Sequence, residues 1–322
     1  MRWDYYANLE NTDVEKTGSP WALSSGFVDS ITVRFLKLEL ELQKVEQERN
    51  EQEMRRRKQQ IERQKMNLRN QYKQKTKAHI PVSLLPCVRP VFASLPSSAW
   101  LGLQVDFELL TPWYSKDDRF FHLMDNPARK DRVFGVPFMS AASWKGLFRW
   151  ACRMQAGLRE HLEAGKKFED WNDPDWILHL FGNEKGEEQD FQQGALVFYP
   201  TWFDRIGFEV INPHSRERRA GTQPIYYEVV PPGAKGTLYL LYAPWPGMKP
   251  PADPTEFLSK LLEAIETLLT TYGISAKRTV GWGTAKIVGW KAFRKGLRSV
   301  EGNDRGELWA QIESWFQAGG TP

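Results

Sequence analysis

An α+β sandwich with insertions, preceded by a long basic helix, is the fold class that the sequence predicts. Three observations carry it. Residues 31–77 run without a Gly or Pro. From residue 101 onward the segments read strand, helix, several strands, helix, strand. The 322 residues, 41% hydrophobic and 26% charged, have an ordinary globular balance and suffice for one large domain or two modest ones. That segment order suits a ferredoxin-like sandwich, a sheet with two crossover helices. The organisation expected is a flexible lead-in at 1–30, a helical arm at 31–77, a Pro/Ser-rich linker at 78–100 and a main domain at 101–322.

The arm is dominated by Glu, Gln, Lys and Arg, all good helix formers, and is expected as one helix ending before Pro81. Leu36, Leu40 and Leu42 give a thin apolar stripe, and Met54, Ile61 and Leu68 recur every seven residues, compatible with a short coiled-coil seam. Beyond the linker, Leu101–Leu110 alternates apolar and polar as a strand does. A loop is expected over Thr111–Phe138 and a helix over 142–165, starting after Ser140 or Ser143. Trp176–Phe181 is a short apolar segment closed by Gly182, and Asn183–Gln193 reads as a mobile loop. Strands are expected at Gly194–Tyr199 and Phe208–Ile211. Ile225–Val230 and Thr237–Tyr242 suggest a hairpin around PPGAKG. Thr255–Tyr272 is amphipathic, with Phe257, Leu261, Leu262, Ile265, Leu268 and Leu269 on one face. A glycine-bearing loop, Gly273–Gly283, precedes a strand at Thr284–Trp290, and a last helix is expected over Arg305–Phe316.

Charge is unevenly placed. Met54–Lys77 holds ten Lys/Arg against one acid, Glu62. That segment therefore carries about +9 while the whole chain is +4, so the remainder is about −5. A concentrated basic field favours polyanions, although a solvated helix or a protein-docking helix has the same composition. The two cysteines, Cys87 and Cys152, form no CxxC pair, and the five histidines are scattered, so no protein metal centre or disulfide framework is expected. Nothing in the polar, acidic start reads as a signal peptide and no apolar run would span a membrane, which points to a reduced, cytoplasmic setting without membrane contact.

Two elements could carry chemistry. In Pro137–Arg149 a turn with Ser140 and Ser143 runs into a helix bearing Lys145 and Arg149. Free N–H groups at a helix start, with hydroxyls and cations, suit phosphate; the same residues also make an ordinary cap with surface cations. In Ile274–Gly283, Lys277 and Arg278 precede Gly281, Trp282 and Gly283. Glycines admit a phosphate close to the backbone, and the tryptophan suits either base stacking or the core. A third cluster, His214, Arg216, Arg218 and Arg219, suits a nucleic-acid groove, a neighbouring subunit or plain solvent.

Together these segments resemble the RAMP superfamily, the Cas proteins that build type III CRISPR effector complexes. The family turn PGSSLKGxxR is matched by FMSAASWKGLFR at Phe138–Arg149, with Met139 and Ser140 in place of Pro-Gly and Ala142 and Ser143 in place of Ser-Ser. The family loop GxGAKTxxGYG is matched by GISAKRTVGWG at Gly273–Gly283. Phe181-Gly182 followed by Gly194–Phe198 matches a further pair of segments. Val210–Ala234 resembles an Arg-bearing loop with a PxGA turn, and the INPH region of the subunit that caps one end of Cmr complexes. The resemblance covers about 101–290 and leaves out the arm.

The resemblance implies a modified ferredoxin-like, RRM-like domain that holds CRISPR RNA by its backbone, contacts target RNA and assembles with other subunits of a type III ribonucleoprotein. The implied RNA-binding residues are Ser140, Ser143, Lys145, Arg149, His214, Arg216, Arg218, Arg219, Lys277, Arg278, Gly281, Trp282 and Gly283. Some members cleave target RNA through an Asp in a D-x-P setting, matched by Asp125-Asn126-Pro127, twenty residues before Lys145. Asp125 would then position Mg2+ or another divalent ion, or activate a 2′-hydroxyl; otherwise no cofactor is implied. Asp125 equally suits a turn cap before Pro127, and Asp117, Asp118 and Asp131 are other candidates in the same loop. Two alternatives remain open: a stand-alone CRISPR-RNA-processing endoribonuclease of the same superfamily, for which only His122 is placed, and a non-catalytic scaffold.

Overall fold

A computed structural model describes residues 25–47, 50–76, 89–117, 122–131, 135–183, 192–213, 224–248, 250 and 253–317. Two compact units emerge. The first comprises residues up to Ile80 with Lys116–Val136 and Arg205–Val229. The second comprises Pro81–Ser115, Pro137–Asp204 and Val230–Pro322.

In chain order the elements are α1 (Ser25–Val45), α2 (Glu51–Thr76), β1 (Leu101–Leu109), β2 (Phe138–Met139), α3 (Ala141–Arg153) and α4 (Arg159–Glu163). There follow α5 (Asp175–Phe181), β3 (Leu196–Phe198), β4 (Thr201–Trp202), β5 (Gly207–Ile211), β6 (Ile225–Val229) and β7 (Lys235–Tyr242). The chain closes with α6 (Pro254–Thr267), β8 (Ala285–Phe293), β9 (Val300–Gly302), α7 (Arg305–Ile312) and α8 (Ser314–Gln317).

In the second unit the main sheet has the order β3-β7-β1-β8-β9, and every neighbouring pair is antiparallel. Numbered along the chain, its first four strands run 2-3-1-4, with α3 and α6 as crossovers. This is the ferredoxin-like arrangement expected from the segment order, with β9 added at one edge. Leu101, Leu103, Val105, Phe107 and Leu109 of β1 are buried in one core with Trp144 and Phe148 of α3 and Leu261, Leu262 and Ile265 of α6. The opposite sheet face takes Phe92 and Leu95 from the stretch expected as linker. The Phe92 ring lies so close to Gly102 that a Cβ there would sit 2.7 Å from it. The expected helix at 142–165 is interrupted at Met154–Leu158 by a π-turn, where Gly157 takes a φ of 103°.

The expected hairpin of 225–230 with 237–242 does not form. β6 pairs with β5 in the first unit, whereas β7 pairs with β1 and β3 in the second. Pro231 and Pro232 stand where the turn would begin and remove two N–H donors from any ladder.

In the first unit the single helix expected at 31–77 is two, α1 and α2. Asn50 makes the break: its Oδ1 accepts from the N–H of Gln52 (3.2 Å) and Glu53 (3.4 Å), an N-cap that a run of strong helix formers concealed. Residues 25–30, expected within the lead-in, belong to α1, and 1–24 lie outside the described residues. Lys58 meets Glu46 just past the end of α1 (2.6 Å), whereas Lys65, two turns further along α2, meets Glu39, two turns back along α1 (2.7 Å), so the helices are antiparallel; Arg57–Glu41 (3.9 Å) is a looser third pair. The seven-residue spacing is used within the chain: Ile61 and Leu68 are buried. Ile31, Phe35, Leu68 and Tyr72 join Leu123 and Met124 in a small core.

A buried ionic cluster closes this unit. The Glu228 carboxylate, fully buried, accepts from Lys130 Nζ (2.7 Å), from the Ala128 N–H (3.0 Å) and from the Tyr72 hydroxyl. Removing one partner strands a charge in an apolar setting, which costs far more than the pair contributes. Lys130→Met is expected to destabilise the first unit by about 3–5 kcal/mol, and Tyr72→Phe by about 1 kcal/mol. Chemical denaturation followed by circular dichroism checks both.

Candidate functional site

Each of the two units holds candidate residues. In the second unit, Ser140 caps α3: its backbone is extended and its Oγ accepts from the Ser143 N–H at 3.1 Å. The two hydroxyls lie 2.9 Å apart. Trp144 and Phe148 fix the helix by burial, with Trp144 Nε1 donating to Thr201 Oγ1 at 3.0 Å. Lys145 is thereby turned outward and exposed. Partial burial, and then the charge of Arg149, hold its ammonium below the ordinary value.

Arg149 does not stand beside Lys145 as a second free cation. Its Nε donates to Asp173 Oδ2 at 2.8 Å, while Arg153 grips the same carboxylate through Nε (2.6 Å) and Nη2 (2.8 Å). Trp171 Nε1 adds a bond of 2.9 Å. Burial alone would raise the Asp173 pKa, but the hydrogen bonds from Arg153, Arg149 and Trp171 outweigh it and leave the carboxyl below its usual range.

The glycine loop is pinned from both sides. Ile274 N–H donates to Gly283 O at 2.9 Å, Trp113 Nε1 donates to Ile274 O at 2.9 Å, and the Tyr114 N–H donates to Ser275 Oγ at 2.9 Å. Gly283 has φ 87°, and a Cβ there would meet Ser275 N at 2.3 Å. Gly281 also has positive φ, 82°, but faces open space. Trp282 is partly exposed and edge-on to Tyr114, with ring centroids 6.5 Å apart. Lys277 is half-buried at the base of the same turn. Arg278 lies over the Trp150 ring, 4.3 Å from its centroid, and its Nη1 is buried without a hydrogen-bond partner among the described residues. Burial lowers its pKa. An unpaired guanidinium donor is costly in a folded chain and is relieved by an anion.

In the first unit, Asp125 is an exposed residue of an otherwise largely buried loop whose Asn126 is tied to β6: Asn126 Nδ2 donates to Tyr226 O at 3.0 Å. Asp125 Oδ1 accepts from Arg69 Nη2 at 2.8 Å. Asp117 is buried, and its Oδ1 lies 3.8 Å from His122 Nε2. Asp131 closes a turn with Gly135. Asp118, His214, Arg216, Arg218 and Arg219 lie outside the described residues. Among the described residues no group of three or more His, Cys, Asp or Glu could hold a metal ion. With Asp125 Oδ1 engaged by Arg69, the described donors do not by themselves form the divalent-ion site that the family resemblance implied. Three participants escaped the sequence reading as site residues: Trp150, Asp173 and Arg69. Arg69 was visible only as one cation among ten.

The RAMP superfamily model matches residues 106–286, more than half of the chain. This chain belongs to the RAMP superfamily. The matched span holds both family motifs and excludes the α1–α2 hairpin. A subunit in "Cryo-EM structure of the Type III-B Cmr-beta bound to cognate target RNA" shares the fold at TM-score 0.56 and 13% identity, over 84% of this chain and 93% of that one. A chain in "Crystal structure of Csm3-Csm4 subcomplex in the type III-A CRISPR-Cas interference complex" aligns at TM-score 0.42 and 18% identity, over 68% of this chain and 98% of that one. No curated protein matches the sequence. No helix among the described residues of this RAMP protein is long and apolar enough to cross a membrane.

Gly283→Ala is expected to cost about 2–4 kcal/mol, because backbone must move, and Gly281→Ala only about 1–2 kcal/mol of backbone strain; thermal unfolding of the two variants checks the order. Asp173 has a depressed folded pKa, so its contribution is present above the unfolded value of about 3.9 and is lost as pH falls through the folded value. Asp173→Asn is expected to flatten the acid limb of the stability curve below about pH 4, measured by denaturation at stepped pH.

Proposed function

We propose that this RAMP protein is a guide-RNA-binding backbone subunit of a type III CRISPR ribonucleoprotein, working in antiviral defence with CRISPR RNA, target RNA and other subunits of that complex as its partners. The observation that carries the reading is Arg278, stacked on Trp150 with a buried, unpartnered Nη1 in a loop of family sequence. A phosphate oxygen is the partner such a donor lacks, and it is present at every nucleotide whatever the base. Lys145, exposed on the Ser140-capped helix, supplies a second cation of the same kind. Gly281 leaves open space beside Arg278, and half-exposed Trp282 supplies an aromatic ring for stacking. Ser140, Ser143 and Lys277 complete this set, whereas Arg149 acts through Asp173 to hold the helix. His214, Arg216, Arg218 and Arg219 extend the proposed RNA contacts on composition alone.

A second reading is cleavage of target RNA by Asp125, supported by a side chain 64% exposed on an anchored loop. The carboxylate would take the proton of a 2′-hydroxyl. Any divalent ion would need donors from outside the described residues, and no step is assigned to one.

In a ribonucleoprotein assembled around the full chain, Lys145→Ala with Arg278→Ala is expected to weaken guide-RNA retention for all sequences and to reduce the salt slope by about 2, one per lost cation. Filter binding across a salt series checks it; a loss confined to certain sequences would contradict backbone recognition. Asp125→Ala is expected to abolish target cutting with assembly intact, read from fragment patterns on a gel. Cutting of precursor RNA by the isolated chain in EDTA would instead favour a stand-alone processing enzyme.

A further inference from the structure

We propose that Arg69, on α2 and outside the family-matched residues, is part of the RNA-cleaving site: it fixes the Asp125 carboxylate and offers Nη1 to the scissile phosphate. The inference rests on the cleavage reading of Asp125 and adds to it a residue from the α1–α2 hairpin.

Arg69 is held on three sides. Its guanidinium lies 5.3 Å from the centroid of the buried Phe35 ring. Nε donates to Leu123 O at 2.9 Å, and Nη2 donates to Asp125 Oδ1 at 2.8 Å. Nη1 has no hydrogen-bond partner among the described residues, and neither has Asp125 Oδ2. The two side chains are 27% and 64% exposed, so this edge of the pair is open to a ligand. It presents one proton acceptor beside one rigid cationic donor.

That pairing solves an electrostatic problem. A phosphodiester carries a negative charge, and a lone carboxylate would repel it. Arg69 cancels the repulsion and leaves donors that match non-bridging phosphate oxygens. In the step itself, Asp125 Oδ2 takes the proton of the 2′-hydroxyl. The 2′-oxygen bonds to the adjacent phosphorus and the P–O5′ bond breaks. The 5′-oxygen takes a proton from water, and Asp125 returns its proton to water. The products are a 2′,3′-cyclic phosphate and a 5′-hydroxyl end, with no oxidant or reductant consumed. Arg69 donates to the phosphate oxygens as their charge grows.

The test uses the ribonucleoprotein assembled with full-length chain and end-labelled complementary RNA, under single-turnover conditions. Arg69→Ala is expected to slow cleavage on the order of 100-fold, with assembly and guide-RNA retention unchanged and part of the rate restored by millimolar guanidinium ion. Arg69→Lys is expected to remain well below the parent, since it keeps charge but loses the planar fork. Asp125→Ala is expected to be inactive and unresponsive to guanidinium. If Arg69→Ala cuts at the parental rate while Asp125→Ala is dead, Arg69 is removed and the reading of Asp125 stands. If Asp125→Ala cuts normally, the cleavage reading falls and this inference with it. Loss of assembly in Arg69→Ala without rescue by guanidinium would reduce Arg69 to a structural residue.

Discussion

The last residues of β1 are the fixture on which the second unit's candidate site hangs. Leu109 exchanges backbone bonds with Gly233 (2.7 Å) and Ala234 (2.9 Å), and Leu110 N–H reaches Thr284 O at 2.8 Å. Trp113 pairs with Val230, and the Tyr114 carbonyl accepts from the Ala276 N–H at 2.8 Å. The glycine loop is thus tied to a central strand whose alternate apolar side chains are sealed in the core. A loop so held keeps Arg278 on Trp150 with its donor unpaired, because the backbone has nowhere to relax to.

The fold was legible wherever local pattern and tertiary role agree. The alternation of 101–110 and the apolar face of 255–272 each answer to one core, so period alone locates β1 and α6. Reading failed where the deciding partner was distant or small. One Asn at position 50 splits a helix that propensity would have continued. Two prolines divert 225–230 to β5, although its apolar content matched the strand that follows. Phe92 covers a sheet face from within a stretch whose composition read as linker.

The candidate residues divide along the same line. Ser140 and Lys145 lie at the start of α3 and Arg278 in the glycine loop, where their motifs put them in the chain. Arg149 shares their motif but is drawn to Asp173, twenty-four residues away in sequence, and no spacing rule signals that capture. Arg57, Lys58, Lys65 and Arg69 are likewise matched by acids, so the basic arm presents a much weaker field than its composition implies. Arg56 and Arg63 remain exposed without a partner among the described residues.

The small core of Ile31, Phe35, Leu68 and Tyr72 with Leu123 and Met124 gives the hairpin a standing that family alignment hides. A protein trimmed to the matched span would keep the Asp125 loop but lose the wall behind it. Leu123 and Met124 would be bared to water, and the Glu228 carboxylate would forfeit its phenol. The hairpin and the loop are therefore a single packing unit: transplanting either into a relative without the other would bare apolar surface on both sides of the cut.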